Sequence, residues 1–129
     1  MATIFTKIIK GEIPCHKIFE NERYLAFLDV RPIKPGHTLV IPKKEIDYIF
    51  DADDKMIAEL MVFAKKVARA IQKEIPCKKI GVMVAGLEVA HAHIHLIPID
   101  SVHDLNFALA KSASGEELAE TARKIRTRL

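Results

Sequence analysis

Three histidines occupy alternate positions in the run His91-Ala92-His93-Ile94-His95, which continues as Leu96-Ile97-Pro98-Ile99. Alternation over four to eight residues predicts a half-buried β-strand, and successive side chains on a strand point to opposite faces. The three imidazoles therefore share one face, with Ala92, Ile94 and Leu96 on the other to pack against a core. Each ring carries two nitrogens that need partners. A row of such rings has little structural use, and chemistry on a substrate is the expected one.

Two chemistries suit the row. Imidazole ligates zinc, copper and iron. Same-face neighbours on a strand stand roughly 6.6–6.8 Å apart, and His91 and His95 about 13 Å, whereas zinc–nitrogen bonds are only about 2.0–2.1 Å long. One ion held by all three would be badly strained, so a zinc site needs a ligand from elsewhere, such as His37, Asp29 or Glu88. There is no HExxH pattern and no cysteine cluster to supply one. The second chemistry is nucleophilic: a neutral imidazole attacks phosphorus and holds the phosphoryl group until water cleaves it. Flanking imidazoles then donate hydrogen bonds to the non-bridging oxygens, and one ring or a nearby group protonates the leaving group. His93 is the natural nucleophile, because it alone has a histidine on each side. Histidines merely exposed, or satisfied within a core, are the remaining reading.

The elements that must position these residues can be read along the chain. Thr3 to Lys10 spaces Ile4, Phe5, Ile8 and Ile9 for a short amphipathic helix, with Thr3 as N-cap and Gly11 as stop. Lys17 to Glu20 is a short strand, Asn21-Glu22 a turn, and Tyr24 to Val30 a second strand with Asp29 near its end. A Pro-rich loop, Arg31 to Gly36, leads to a third strand, His37 to Ile41, closed by Pro42, which cannot donate to the ladder. Asp53 or Asp51 caps a long helix running to about Glu74, with Ile57, Leu60, Met61, Ala64, Val67, Ala68 and Ile71 at three- and four-residue intervals. Its methionines are expected to fill the core. Pro76 ends the helix, Ile80 to Val84 is a fourth strand, Ala85 to Ala90 a tight loop around Gly86, and the histidine strand the fifth. His103 to Ala110 adds a short helical turn. Ser114-Gly-Glu-Glu117 fits a capping box opening a terminal helix with Leu118, Ala119, Ala122, Ile125 and Leu129 on one side. Strands, one long central helix and more strands predict an α+β domain on an antiparallel sheet.

The whole chain sets bounds on what that domain does. Its 129 residues suit a single domain able to bury a hydrophobic core. Half the residues are hydrophobic and 29% are charged, as in ordinary globular proteins and unlike disordered ones. The formal net charge of +3 is scattered in short lysine and arginine pairs. It suits a small anionic substrate better than a nucleic-acid polymer. Cys15 and Cys77 are far apart and form no CxxC, so free thiols in a reducing compartment are expected rather than a disulfide framework. The N-terminal residues lack the apolar core and cleavage site of a signal peptide, and no stretch reaches the ~20 apolar residues that span a membrane. A cytoplasmic protein without membrane contact is expected.

The triad does not stand alone. His91-Ala-His93-Ile-His95-Leu-Ile-Pro resembles the His-x-His-x-His signature of the histidine triad (HIT) superfamily. Ala26-Phe27-Leu28-Asp29-Val30-Arg31-Pro32 and Pro35-Gly36-His37-Thr38-Leu39-Val40-Ile41-Pro42-Lys43 resemble further family segments, as does Ile4-Phe5-Thr6-Lys7-Ile8-Ile9-Lys10-Gly11-Glu12-Ile13-Pro14. The resemblance is ordered, covers roughly residues 3–99, and in its N-terminal block is greatest to the Hint branch.

That resemblance implies a single HIT-like domain: an antiparallel five-stranded sheet with one long central helix, and a C-terminal helical extension over about 103–129. It implies a homodimer that binds the purine nucleoside monophosphate part of larger substrates. His93 becomes the nucleophile that accepts the nucleotidyl group, His95 contacts the phosphate, and His91 and His37 orient the site. Asp29 accepts from the ribose hydroxyls, and Ile4, Phe5, Ile8, Phe27 and Val30 form the base pocket. No metal or other cofactor is needed. Many relatives have a longer Gly-rich loop before the triad, with Asn and Ser or Gln touching the phosphate. Here Val84 to Ala90 is short and lacks them, and Glu88 stands at the phosphate contact, where an unpaired carboxylate would repel it. The function implied is metal-independent hydrolysis or transfer at a nucleoside phosphoramidate or related conjugate, releasing a nucleoside monophosphate. A dinucleoside polyphosphate hydrolase and a non-catalytic nucleotide-binding regulator are the alternatives.

Overall fold

The computed structural model describes residues 2–129. Its elements are helix α1 (Ile4–Ile9), strands β1 (Lys17–Glu20), β2 (Tyr24–Leu28) and β3 (Thr38–Pro42), helix α2 (Asp54–Glu74), strands β4 (Lys79–Met83) and β5 (Ile94–Ile99), and helix α3 (Gly115–Arg126). The strands form one sheet in the order β1-β2-β3-β5-β4, and every neighbouring pair is antiparallel. This is the α+β architecture expected, with the histidine strand second from one edge.

The caps follow the side-chain chemistry. The Thr3 hydroxyl accepts from the Phe5 and Thr6 N–H groups, and the Thr6 hydroxyl accepts from the Thr3 N–H, a reciprocal pair that satisfies orphan donors at the start of α1. Asp53, not Asp51, caps α2 by accepting from the Met56 N–H at 2.8 Å. Ser114 accepts from the Glu117 N–H at 3.1 Å, so the start of α3 is where the sequence places it. The expected turn over 103–110 consists of two short 3-10 segments, Val102–Asp104 and Phe107–Leu109.

The two faces of the sheet are filled differently. Alternate residues Tyr24, Ala26 and Leu28 of β2, Val40 of β3, and Ile94 and Leu96 of β5 meet Leu60, Phe63, Ala64, Val67, Ala70 and Ile71 of α2. Leu118, Ala122 and Ile125 of α3 complete this large core. On the opposite face Leu25, Phe27, Leu39 and Ile41 pack with Phe5 of α1 in a smaller cluster.

Three expectations shift. The apolar stripe of α2 is rotated relative to its expected position, so Phe63 and Ala70 are buried while Ile57 is partly exposed and Met61 is 48% exposed. Met61 is therefore surface, not core filler: the wider apolar set on this helix allows either rotation, and the bulk of Phe63 takes the central position. Leu129 lies beyond α3 and is exposed. The histidine strand begins only at Ile94. Before it, the His91 N–H bonds the Val89 carbonyl and the Ala92 N–H bonds the Ile46 carbonyl, which takes both out of the ladder.

Candidate active site

Strand β5 places His95 on the α1 side of the sheet, opposite Leu39 of β3 and Met83 of β4 in the register. The bend before β5 brings the other two rings to the same region. The His93 and His95 ring centroids are 4.9 Å apart, and the Phe5 ring stands edge-on to both His93 (5.1 Å) and His91 (5.9 Å). All three histidines, and His37, are buried. The sharing of one face survives the early end of the strand, although the straight 91–95 spacing does not.

Partner chemistry assigns each proton, because a carbonyl can only accept and an amide N–H only donate. His93 Nδ1–H donates to the His91 carbonyl at 2.7 Å, so in the neutral ring the lone pair is on Nε2. His91 Nε2–H donates to the Pro42 carbonyl at 2.7 Å, which anchors that ring to the end of β3. The Ile33 N–H donates to His37 Nδ1 at 3.0 Å. His37 therefore carries its proton on Nε2 and donates it to His95 Nδ1 at 2.9 Å. His95, with Nδ1 accepting, holds its own proton on Nε2. One backbone amide thus sets the tautomer of a ring two steps away.

Asp29 stands just past β2. Its N–H bonds the His37 carbonyl, Oδ1 accepts from the Arg31 N–H at 2.9 Å, and Oδ2 lies 3.6 Å from His37 Nε2. The turn that delivers His37 requires glycine at position 36. Gly36 has φ +93°, and a Cβ there would stand 2.2 Å from Ile75 Cδ1. A left-handed residue with no side chain lets the loop press against α2.

Burial dominates the electrostatics. It pushes His95 down to about 3, with His93 and His37 beside it adding to the effect. Burial also lowers His37, against the pull of the Asp29 carboxylate, and lowers His91 although the Pro42 carbonyl favours its charged form. These three rings are neutral near pH 7, so His95 presents one fixed N–H donor rather than an exchangeable charge.

The remaining candidates separate into two groups. Phe5 and Phe27 are buried in the smaller cluster, 5.6 Å apart edge to face, with Ile8 packed on it. Ile4 is 50% and Val30 59% exposed. Glu88 is exposed in the bend before the triad.

Residues 10–102 match the family model described as HIT domain. The chain belongs to the HIT family. It is 40% identical over 99 residues to an adenosine 5′-monophosphoramidase of Schizosaccharomyces pombe, covering 76% of this chain and 74% of that protein. Among solved structures, a Hit-like protein involved in cell-cycle regulation from Bartonella henselae superposes with a TM-score of 0.87 at 36% identity, over 98% of this chain and 96% of that one. A zinc-bound histidine triad family protein from Mycobacterium smegmatis superposes with a TM-score of 0.84 at 27% identity, over 99% and 93%.

The HIT site brings one group of potential metal ligands together among the described residues: Asp29, His37 and His95, with ligand atoms within 4.8 Å of one another. In the tautomers present the two ring nitrogens bond to each other, so an ion would have to displace that bond. Metal on His37 Nε2 would move that ring's proton to Nδ1, head-on against the buried Ile33 N–H, at a cost of about 1–3 kcal/mol for the unmade bond. Two nitrogens on one tetrahedral zinc also stand about 3.3 Å apart, farther than the 2.9 Å between His37 and His95. The geometry is that of a hydrogen-bonded relay.

Sequence reasoning missed two parts of the HIT site. One is the pair of backbone groups, the Ile33 N–H and the Pro42 carbonyl, that set the tautomers; both lie beside prolines the sequence displays, at Pro32 and Pro42. The other is Phe107, whose ring stands 5.0 Å from that of His95.

Proposed function

We propose that the chain is a metal-independent nucleotidyl hydrolase that releases a nucleoside monophosphate from a purine nucleoside phosphoramidate or related conjugate. The observation that carries this reading is the pairing of a free lone pair on His93 Nε2 with a neutral N–H donor on His95 Nε2. His93 Nε2 attacks phosphorus, a phosphorus–nitrogen bond forms, and the bond to the leaving group breaks. The positive charge gained by the His93 ring is stabilised where its Nδ1–H meets the His91 carbonyl. His95 donates to a non-bridging oxygen, where charge accumulates, and the leaving nitrogen takes a proton from solvent as its bond to phosphorus breaks, so that it departs as the neutral amine. Water then displaces His93 from phosphorus and regenerates the free ring.

Asp29 takes the ribose hydroxyls in this scheme, through the oxygen not held by Arg31. The base lies on the apolar surface around Ile4, Phe5, Ile8, Phe27 and Val30. The phosphoramidase activity named for the fission-yeast relative supports this substrate class. In excess EDTA the protein should hydrolyse adenosine 5′-phosphoramidate and give a nucleotide adduct on His93 by mass spectrometry. His93→Ala should lose at least about 1,000-fold in rate, as expected when a nucleophile is removed. Full activity in that variant would refute the assignment.

We further propose that the protein works as a homodimer. Edge strand β4 and the outer side of α2 leave Met61 48% and Val62 69% exposed. With Ala68, Val82 and Leu96 they line an apolar hollow of about 360 Å³. An unpaired strand edge beside apolar surface favours pairing with a second copy. Solution scattering should give twice the chain mass, and a monomeric mass would rule the dimer out. No helix among the described residues is long and apolar enough to cross a membrane.

A further inference from the structure

The stretch that matches the family ends at residue 102, yet the chain beyond it returns to the site. Phe107 stands edge-on to His95 at 5.0 Å with an interplanar angle of 65°. The residues that follow are fastened across the loop carrying Asp29. The Lys111 N–H bonds the Pro32 carbonyl, and the Ala113 N–H bonds the Val30 carbonyl. From the other side, the Arg31 guanidinium donates to the Ser112 hydroxyl (3.0 Å) and the Ala110 carbonyl (3.3 Å). Arg31 is also the residue whose N–H holds Asp29 Oδ1. One strap thus meets His95 at one end of the Asp29–His37–His95 row and, through Arg31, the loop that carries Asp29 at the other.

His95 has ring neighbours on three sides: His37, which fixes its tautomer, His93, and Phe107. The first two belong to the sheet and its loops. Phe107 is 37% exposed and stands outside both core clusters, so core packing does not account for it. Its ring meets that of His95, which is 6% exposed.

We propose that Phe107 is a positioning residue, and that the strap over residues 107–113 forms part of the catalytic site by holding the His95 ring with its Nε2–H aimed at the substrate phosphate. The kinetic consequence rests on the nucleotidyl-hydrolase reading; the structural one does not. An edge contact restricts ring rotation, and a donor displaced by about 1 Å can cost on the order of 100-fold in rate. The strap's other bonds are to backbone or to Arg31, so replacing Phe107 leaves the fastening intact.

The test compares wild type, Phe107→Ala and Phe107→Leu, with thermal unfolding as the folding control. Two-bond proton–nitrogen NMR of the imidazoles reports the state of His95 without substrate. Wild type should show His95 as the Nε2–H tautomer, resisting protonation. In Phe107→Ala the ring should leave the His37 Nε2–H bond that fixes its tautomer, so its nitrogen shifts should move toward those of an averaging ring and its titration up from about 3 toward the ordinary histidine range; Phe107→Leu should restore most of the wild-type pattern. With adenosine 5′-phosphoramidate, Phe107→Ala should lower kcat about 10-fold with KM changed by less than about twofold. A His95 spectrum identical to wild type in Phe107→Ala overturns the proposal whatever the kinetics. So does a rise in KM at unchanged kcat, which would make Phe107 a substrate contact. If wild type turns over no nucleotide substrate, the hydrolase reading fails while the NMR still decides whether Phe107 holds His95.

Discussion

The two faces of the sheet are built to opposite rules. The face under α2 and α3 is an unbroken aliphatic and aromatic layer. The face under α1 has only a small apolar cluster and, beside it, four buried histidines. The same strands serve both: on β5, Ile94 and Leu96 point one way and His95 the other. Burying imidazoles is tolerable only when every nitrogen that cannot reach water has a partner. The chain meets that demand with backbone groups, at Ile33, Pro42 and His91, more than with other side chains. Backbone partners are rigid and cannot change protonation, so they fix tautomers as well as positions. The helix face supplies stability that the histidine face draws on.

That division predicts where a substitution is felt. Phe63 is at the centre of the helix face, stacked on Phe19 at 5.2 Å and tilted against Tyr24 at 5.7 Å. Phe63→Ala should cost about 3–5 kcal/mol in unfolding free energy, while the folded fraction keeps a kcat within about twofold of wild type. Denaturant titration together with active-site titration separates the two. A large loss of kcat in the folded fraction would mean that the faces are coupled and the comparison is wrong.

A smaller and different effect is expected across the sheet. His37→Leu keeps the volume roughly but leaves the buried Ile33 N–H without an acceptor, at about 1–3 kcal/mol. It also frees His95 Nδ1, so the His95 proton is shared between its two nitrogens and the donor to phosphate is lost part of the time. Unfolding should therefore show a modest loss, and kcat a larger proportional one. A variant that is destabilised but fully active would show that the relay serves only the fold.

How much of this was legible beforehand differs by face. The helix face is patterned: short apolar runs bounded by the Pro-rich loop and Pro42 mark β2 and β3, alternation marks the inward side of β5, and three- and four-residue spacing marks α2. Where the pattern was ambiguous it misled, because Ile57 and Met61 are as apolar as Phe63 and Ala70 and periodicity alone does not choose the rotation. On the histidine face the residue types announced chemistry, and the order of segments announced the family. The partners did not show, because the Ile46 carbonyl that draws Ala92 out of the strand and the Ile33 amide that fixes His37 are backbone groups identical in every residue. Phe107 was illegible for another reason: Leu105-Asn106-Phe107-Ala108-Leu109-Ala110 is too short and too mixed to show a period, and its contact with His95 exists only after the turn at Ser101–Asp104.

At neutral pH the two faces do not differ in proton uptake, and acid separates them. His95 is pushed down to about 3 by burial, and His37 and His91 are lowered for the same first cause, whereas the titratable core residue described on the helix face, Tyr24, is pushed up to about 12 and stays protonated throughout. A histidine whose folded value lies below its unfolded one, near 6.5, contributes nothing to the pH dependence above that value, where both states are neutral. As pH falls below about 6.5 the unfolded chain binds a proton that the folded chain refuses. Stability then drops by up to about 1.4 kcal/mol per pH unit for each such ring. For His95 the drop continues to about pH 3. Replacing it by Gln, which does not titrate, should flatten the slope of unfolding free energy between pH 6 and 4 by about one proton's worth, even if stability at pH 7.5 also changes. Urea titrations across that range measure the slope directly. An unchanged slope in His95→Gln would mean that His95 is protonated in the folded protein at these pH values, and that the neutral donor on which the catalytic reading depends is absent below pH 6.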